Sequence, residues 1–159
     1  MMYDFNMIGF TIMSFLLVGC GDEQVEASTK APSKEVKVAG DADVTNVFAR
    51  EESDGLWTFH VSVKHDDVNW YDFADGWDVV LPDGSSIKPD PFGQFTRHIR
   101  HPHVHEQPFT RTQKEIRIPE GVDRVKVRAH DKKHGWGGEE IEVLLNVRFG
   151  EKYSVKRAL

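Results

Sequence analysis

Eight histidines lie between His60 and His134, and four of them crowd into the stretch His98 to His105. The run His101-Pro102-His103-Val104-His105-Glu106 places imidazoles at alternate positions. In an extended segment alternate side chains share one side, so those three rings would converge within reach of a single ion. A second pair flanks Asp131 in the stretch His130-Asp131-Lys132-Lys133-His134-Gly135-Trp136-Gly137-Gly138. Imidazoles joined by Glu106 or Asp131 form a donor set that suits zinc, copper(II) or nickel. The expected metal ligands are therefore His101, His103, His105, Glu106, His130 and His134, with zinc or copper as the ion. Two other roles stay open for the same side chains. They would form a hydrogen-bonded network that stiffens a loop punctuated by Pro102 and Pro108, or a cluster that charges and repels near about pH 6. His60, on the outer face of its segment, reads as solvated.

Motif spacing narrows this only a little. His103-x-His105 has the spacing of the cupin metal motif, but Pro108, Phe109 and Thr110 stand where that motif needs a glutamate. The glycines after His134 argue against the helix that a His-x3-His zinc pair requires. The sequence contains no His-Glu-x-x-His, no Gly-x-Ser-x-Gly and no phosphate-cradling glycine loop.

A second constellation interleaves acids with aromatics: Trp70, Asp72, Asp75 and Trp77. Oxygen ligands there would coordinate calcium, or the rings would stack on a sugar. The plainer reading is a loop whose aromatics cap the core while the carboxylates accept backbone amides. Asp72, Asp75 and Glu106 would serve an enzyme acting on envelope glycans if two carboxylates stood roughly 5–10 Å apart in a cleft. Arg111 reads as a clamp on Glu106 or an aspartate, or as a bidentate anion ligand. Trp136, set between glycines, is either an exposed aromatic contact or a plug at one end of the domain.

Strands must position these groups. Trp57, Phe59, Val61 and Val63 alternate with Thr58, His60, Ser62 and Lys64, the period-two pattern of a strand with one buried face. Val125, Val127 and Ala129 alternate in the same way, as do Ile141, Val143, Leu145 and Val147. Turn residues (Pro82-Asp83-Gly84 and Pro119-Glu120-Gly121) punctuate the chain. No segment after residue 40 has a convincing helical period. The expectation is an all-β, antiparallel, immunoglobulin-like β-sandwich of seven to eight strands, with its loops gathered at two ends. Both histidine segments would meet at one of those ends.

The chain has one cysteine, Cys20, at the close of an apolar run from Ile8 to Val18. That run is too short to span a bilayer as a helix and has the length of a signal peptide. Leu17-Val18-Gly19-Cys20 resembles the bacterial lipobox, which implies cleavage before Cys20 and diacylglycerol on its thiol. The segment before the run carries Asp4 and no base, unlike an ordinary signal peptide. The alternative is a buried N-terminal strand or helix. The expected divisions are a lipoprotein signal peptide over 1–19, lipidated Cys20 and a flexible polar tether over 20–40, the sandwich over 41–149, and a polar tail over 150–159. With its single thiol acylated the domain has no disulfide and no thiolate ligand. Net charge is −6 with acids and bases interspersed, so nucleic acid is not the expected partner. The address is the cell envelope, anchored by lipid and facing the periplasm or exterior, with Gly21 leaning toward the outer membrane.

His101-Pro102-His103, Glu106-Gln107-Pro108-Phe109-Thr110-Arg111 and His130-Asp131…His134-Gly135-x-Gly137-Gly138, with Trp70…Asp75-x-Trp77 upstream, resemble a group of small exported bacterial proteins of unknown function. The similarity spans roughly residues 44 to 146 and implies an exported single domain, without naming an activity. The leading expectation is a lipid-anchored binding domain rather than an enzyme. A structural or interaction module of a cell-envelope assembly, with a protein partner, is the alternative.

Overall fold

The computed structural model describes residues 40–53 and 55–159. The signal peptide, the lipobox with Cys20 and the tether up to residue 39 lie outside the described residues. Among the described residues eleven strands follow one another: β1 (Asp43–Ser53), β2 (Leu56–Lys64), β3 (Ala74–Val80), β4 (Ser86–Ile87), β5 (Arg97–His98), β6 (Phe109–Arg117), β7 (Arg124–Asp131), β8 (Gly135–Trp136), β9 (Ile141–Leu144), β10 (Phe149–Gly150) and β11 (Tyr153–Lys156). Seven of these have four residues or more, which matches the strand count expected from the sequence. No helix occurs among the described residues. The fold is an all-β sandwich.

One sheet runs in the order β10-β11-β1-β2-β6. The other runs β4-β3-β7-β8, with β5 also on β3 and β9 also on β7. The inward stripes expected from the alternation supply the core. Val44, Val47 and Ala49 of β1, Trp57, Phe59, Val61 and Val63 of β2, and Phe109 and Ile116 of β6 come from the first sheet. Trp77 and Val79 of β3, Val125, Val127 and Ala129 of β7, and Ile141 and Val143 of β9 join them in one cluster. Each fully buried apolar side chain contributes about 1.5–3 kcal/mol of transfer free energy, which makes this stripe-on-stripe contact the main driving force.

All seven residues of β3 are buried, although its sequence holds Asp75, Gly76 and Asp78. The reason is a cover: the segment after β4 folds back over the outer face of β3. Asp78 accepts the Thr96 N–H at 2.8 Å and the Ser86 hydroxyl at 2.7 Å, while Thr96 Oγ1 accepts the Val79 N–H at 2.9 Å. Phe95 lies against Gly76 so closely that a Cβ there would come within 2.1 Å of the ring. Burial of the two aspartates is thus compensated by hydrogen bonds.

The polar tail of residues 150–159 contains a strand. Tyr153 to Lys156 form β11, paired in parallel with Val47 to Arg50 of β1. Arg157 then donates to Glu51 Oε2 at 2.6 Å and to Asn146 Oδ1 at 2.8 Å, and the Ala158 N–H donates to Glu51 at 3.2 Å. Edge pairing and a buried carboxylate hold this polar segment, with Val155 as its inward apolar residue.

Candidate metal centre

The inward stripes of β2 and β7 lose their apolar character at the same end of the sandwich. Two positions beyond Val63 stands His65, and two beyond Ala129 stands Asp131. Both keep the inward phase and both are buried, at 4% and 0% exposure. Among the described residues the Asp131 carboxylate has no guanidinium or ammonium ion pair, and the nearest side-chain nitrogen in an ion-pair position is His134 Nδ1 at 3.3 Å. The carboxylate charge is met by amides: Oδ1 accepts the N–H of Lys133 at 3.0 Å and of His134 at 2.5 Å, and Oδ2 accepts that of Asp41 at 3.3 Å. The first two close an Asx-type turn, which explains why the chain reverses tightly here.

His65 is oriented from behind. Its Nδ1 donates to Asp67 Oδ1 at 2.7 Å, and its backbone N–H donates to Gln107 Oε1 at 3.1 Å. Asp67 also accepts the N–H of Ala74 at 3.0 Å and of His103 at 2.6 Å. With Nδ1 committed, the neutral ring presents the Nε2 lone pair outward, 3.0 Å from Asp41 Oδ1 and 3.8 Å from Asp72 Oδ1. Two triads result, each with its donor atoms within 4.8 Å of one another: His65–Asp72–Asp131 and Asp41–Asp131–His134. Asp131 belongs to both. A carboxylate behind an imidazole whose other nitrogen faces further carboxylates is the usual second-sphere arrangement of a histidine metal ligand.

The charges follow. Burial alone would depress the His65 pKa, but the hydrogen bond to Asp67 and the charges of Asp41, Asp67 and Asp131 outweigh it and raise the value above 6.5. Burial would raise the Asp67 carboxyl, yet the donors from His65, His103 and Ala74 hold it below the ordinary aspartate value. A proton or a cation on His65 Nε2 is thus favoured by the same acids. On the rim, Lys133 pairs with Asp72 Oδ2 at 2.8 Å, which leaves Oδ1 turned toward His65.

Of the six ligands expected from the sequence, His134 is in this cluster. The others lie outside both triads. His103 is buried, but Arg111 donates to its Nε2 and so occupies the lone pair a metal would need. Burial, with the Arg111 and His101 charges, pushes the His103 pKa down. Its ring stacks on Phe109 at 3.9 Å and meets His101 at 4.5 Å between centroids. His101, His105 and Glu106 are exposed or on the rim of that loop, and His101 Nδ1 lies 3.2 Å from the Pro102 carbonyl. His130 Nδ1 sits 2.6 Å from Asp75 Oδ1, on the other face of β7 from Asp131. Sequence density therefore brought His101 and His103 together but did not bring that loop to His134 in either triad.

The second constellation also divides. Asp72 joins the cluster, and Trp70 is exposed at its rim. Trp77 is fully buried and belongs to the core, with no surface to offer a ligand. Trp136 carries the Arg128 guanidinium 4.0 Å over its ring, beside Phe95 and His130. Those groups, with Asp78, Ser86, Lys88 and Gln94, line a cleft of about 460 Å³. Arg111 is a clamp, closing on His103 rather than on Glu106 or an aspartate.

These features define a β-sandwich closed at one end by a buried imidazole–carboxylate cluster. The chain is 32% identical over 120 residues, 74% of its length, to a protein of Halomicrobium mukohataei described as "Putative lipoprotein". Those residues make up 55% of that protein, so the chain spans about half the length of the curated relative it matches. No family model and no solved structure matches.

Proposed function

We propose that this protein is a lipid-anchored binding domain of the cell envelope that holds a divalent transition metal at the end of its sandwich. His65 Nε2, Asp72 and Asp131 are the central ligands, with Asp41 and His134 completing the shell. The observation that carries the reading is the convergence of His65, Asp72 and Asp131 within 4.8 Å, with His65 braced by Asp67. Zinc bonds of about 2.0–2.1 Å require ligand atoms roughly 3–4 Å apart, which small side-chain rotations supply. Two imidazoles with carboxylates suit zinc first and copper(II) next. Similarity to a protein called a lipoprotein supports anchoring through Cys20.

Equilibrium dialysis tests the site. Wild-type protein retains zinc or copper at about micromolar concentration, while His65→Ala and Asp131→Asn proteins lose it. Failure of the wild type to retain either ion ends this reading.

One observation favours a second reading, an interaction module whose histidines are structural. His65 lies between Asp67 at 2.7 Å and Asp41 at 3.0 Å, so a doubly protonated ring bridges the two carboxylates with no ion at all. In that case thermal stability is unchanged by chelator, and capture from envelope membranes recovers a protein partner.

A further inference from the structure

Trp70 and Tyr71 form the two-residue loop of a tight hairpin. The Asp72 N–H donates to the Asn69 carbonyl at 3.2 Å, and the Asn69 N–H donates back at 3.4 Å. Such loops ordinarily carry Asn, Asp or Gly, which suit the turn and face water. Here the positions hold two aromatic rings, 60% and 81% exposed, and Val68 on the same hairpin is exposed as well. Val104 is exposed on the neighbouring loop, which His103 and Gln107 tie to Asp67 and His65.

The tip is held stiffly. Lys132 donates to the Trp70 carbonyl at 2.8 Å, Asn69 Oδ1 accepts the Tyr71 N–H at 2.8 Å, and Trp70 meets Phe73 edge-on at 6.3 Å. Little ordering entropy remains to be lost when this tip meets a partner. The chain also enters the domain here: the Gly40 N–H donates to the Trp136 carbonyl, and Asp41 joins Asp131 and His134.

We propose that the 68–71 tip seats in the interfacial layer of a lipid bilayer. This goes beyond the metal site and rests on the lipid-anchor half of the proposed function. Trp and Tyr favour the headgroup level, where one end of the ring is apolar and the other wet. At about 150–250 Å² per aromatic ring the tip offers roughly 300–500 Å², below the ~800 Å² per partner of a stable protein interface. A bilayer takes a convex tip without a matching pocket. Cys20 stands about twenty residues before Gly40 in the sequence, so an anchor there keeps this end of the domain near the surface. A weak contact then suffices, because tethering supplies the effective concentration. Among the described residues Lys133 beside the tip is paired with Asp72 and Lys132 lies over Phe73 at 5.3 Å, so seating is apolar rather than electrostatic.

The test uses the full chain reconstituted in phosphatidylcholine vesicles whose acyl chains carry bromine, a short-range quencher of tryptophan. Co-flotation reads the anchor, and quenching reads the tip. Trp57 and Trp77 are buried and Trp136 packs under Arg128 beside Phe95 and His130, so the difference between wild type and Trp70→Ala reads the emission of Trp70. The expected result is quenching that Trp70→Ala abolishes, that Tyr71→Ala reduces, and that high salt leaves in place, with flotation unchanged. Flotation without quenching of Trp70 overturns the proposal and leaves the anchor standing. Absence of flotation overturns both. Cross-linking from position 70 to an envelope protein, with no quenching, overturns it in favour of a protein partner.

Discussion

His65 and Asp131 hold equivalent places on opposite sheets, each two residues beyond the last apolar member of an inward stripe. The sandwich ends there because the stripes change chemistry and not because they turn outward. A buried acid and a buried imidazole face each other across the gap between sheets, with Asp72 and Asp41 at the mouth.

Asp67 touches no proposed coordination position, yet it sets which nitrogen of His65 is free. In Asp67 one oxygen serves His65 Nδ1 and the Ala74 amide and the other serves the His103 amide, so Asp67→Asn, with one oxygen and no charge, weakens the hold on Nδ1 at the cost of one of those partners. Loss of such a partner costs about 10–100-fold in metal affinity. Competition with a chromophoric chelator, read beside thermal melting, checks this. Unchanged zinc affinity in a folded Asp67→Asn protein contradicts the assigned orientation.

His103 gives a pH signature. Its pKa lies below 6.5 in the folded protein because burial and the Arg111 charge disfavour the imidazolium. The unfolded chain binds a proton near about pH 6.5, so the unfolded state holds more protons between the folded pKa and that value. The stabilisation is complete above about pH 6.5 and is lost as pH falls toward the folded pKa. Histidine NMR titration in chelator-treated protein shows the depressed value. Arg111→Met removes both charge and donor and moves it upward; an unmoved resonance would contradict the clamp.

Arg157 fastens the last strand. Arg157→Ala leaves the buried Glu51 carboxylate with the Ala158 amide and removes the guanidinium that lies 5.4 Å over the Trp57 ring. Leaving a buried acceptor short of donors costs about 1–3 kcal/mol, and half-exposure of Arg157 points to the lower part of that range. Urea denaturation measures it, and an unchanged midpoint shows that β11 is held by pairing alone.

Gly76 and Phe95 are in direct contact across the outer face of β3. Gly76→Ala drives a methyl group into the ring and displaces the covering segment, at about 1–3 kcal/mol for overpacking. Near-ultraviolet circular dichroism should lose the signal of the Phe95–Trp136–His130 cluster. A Gly76→Ala protein of wild-type stability would mean that the cover is free to shift.

The sandwich was legible because its core strands alternate cleanly, as in Trp57 to Val63 and Val125 to Ala129. The tail was not, since Tyr153-Ser154-Val155-Lys156 shows one apolar step and gains its strand character from the edge of β1. The site was half legible. His134, Asp131 and Asp72 were visible as chemistry-bearing residues, and the alternation, followed one step further, reaches His65 and Asp131. In the His101–His105 run nearness in sequence does not by itself free the lone pair of His103. Arg111, eight residues on and folded back along β6, takes the Nε2 of His103.

Parallel pairing of β11 with β1 carries a consequence for biosynthesis. The first described strand acquires its second neighbour only from residues 153–156, which are synthesised long after it. Until then one edge of β1 is open, and Glu51 has no counter-charge from Arg157. Closure of that sheet therefore waits on residues far along the chain, and a chain that stalls short of Tyr153 displays an unpaired edge of β1.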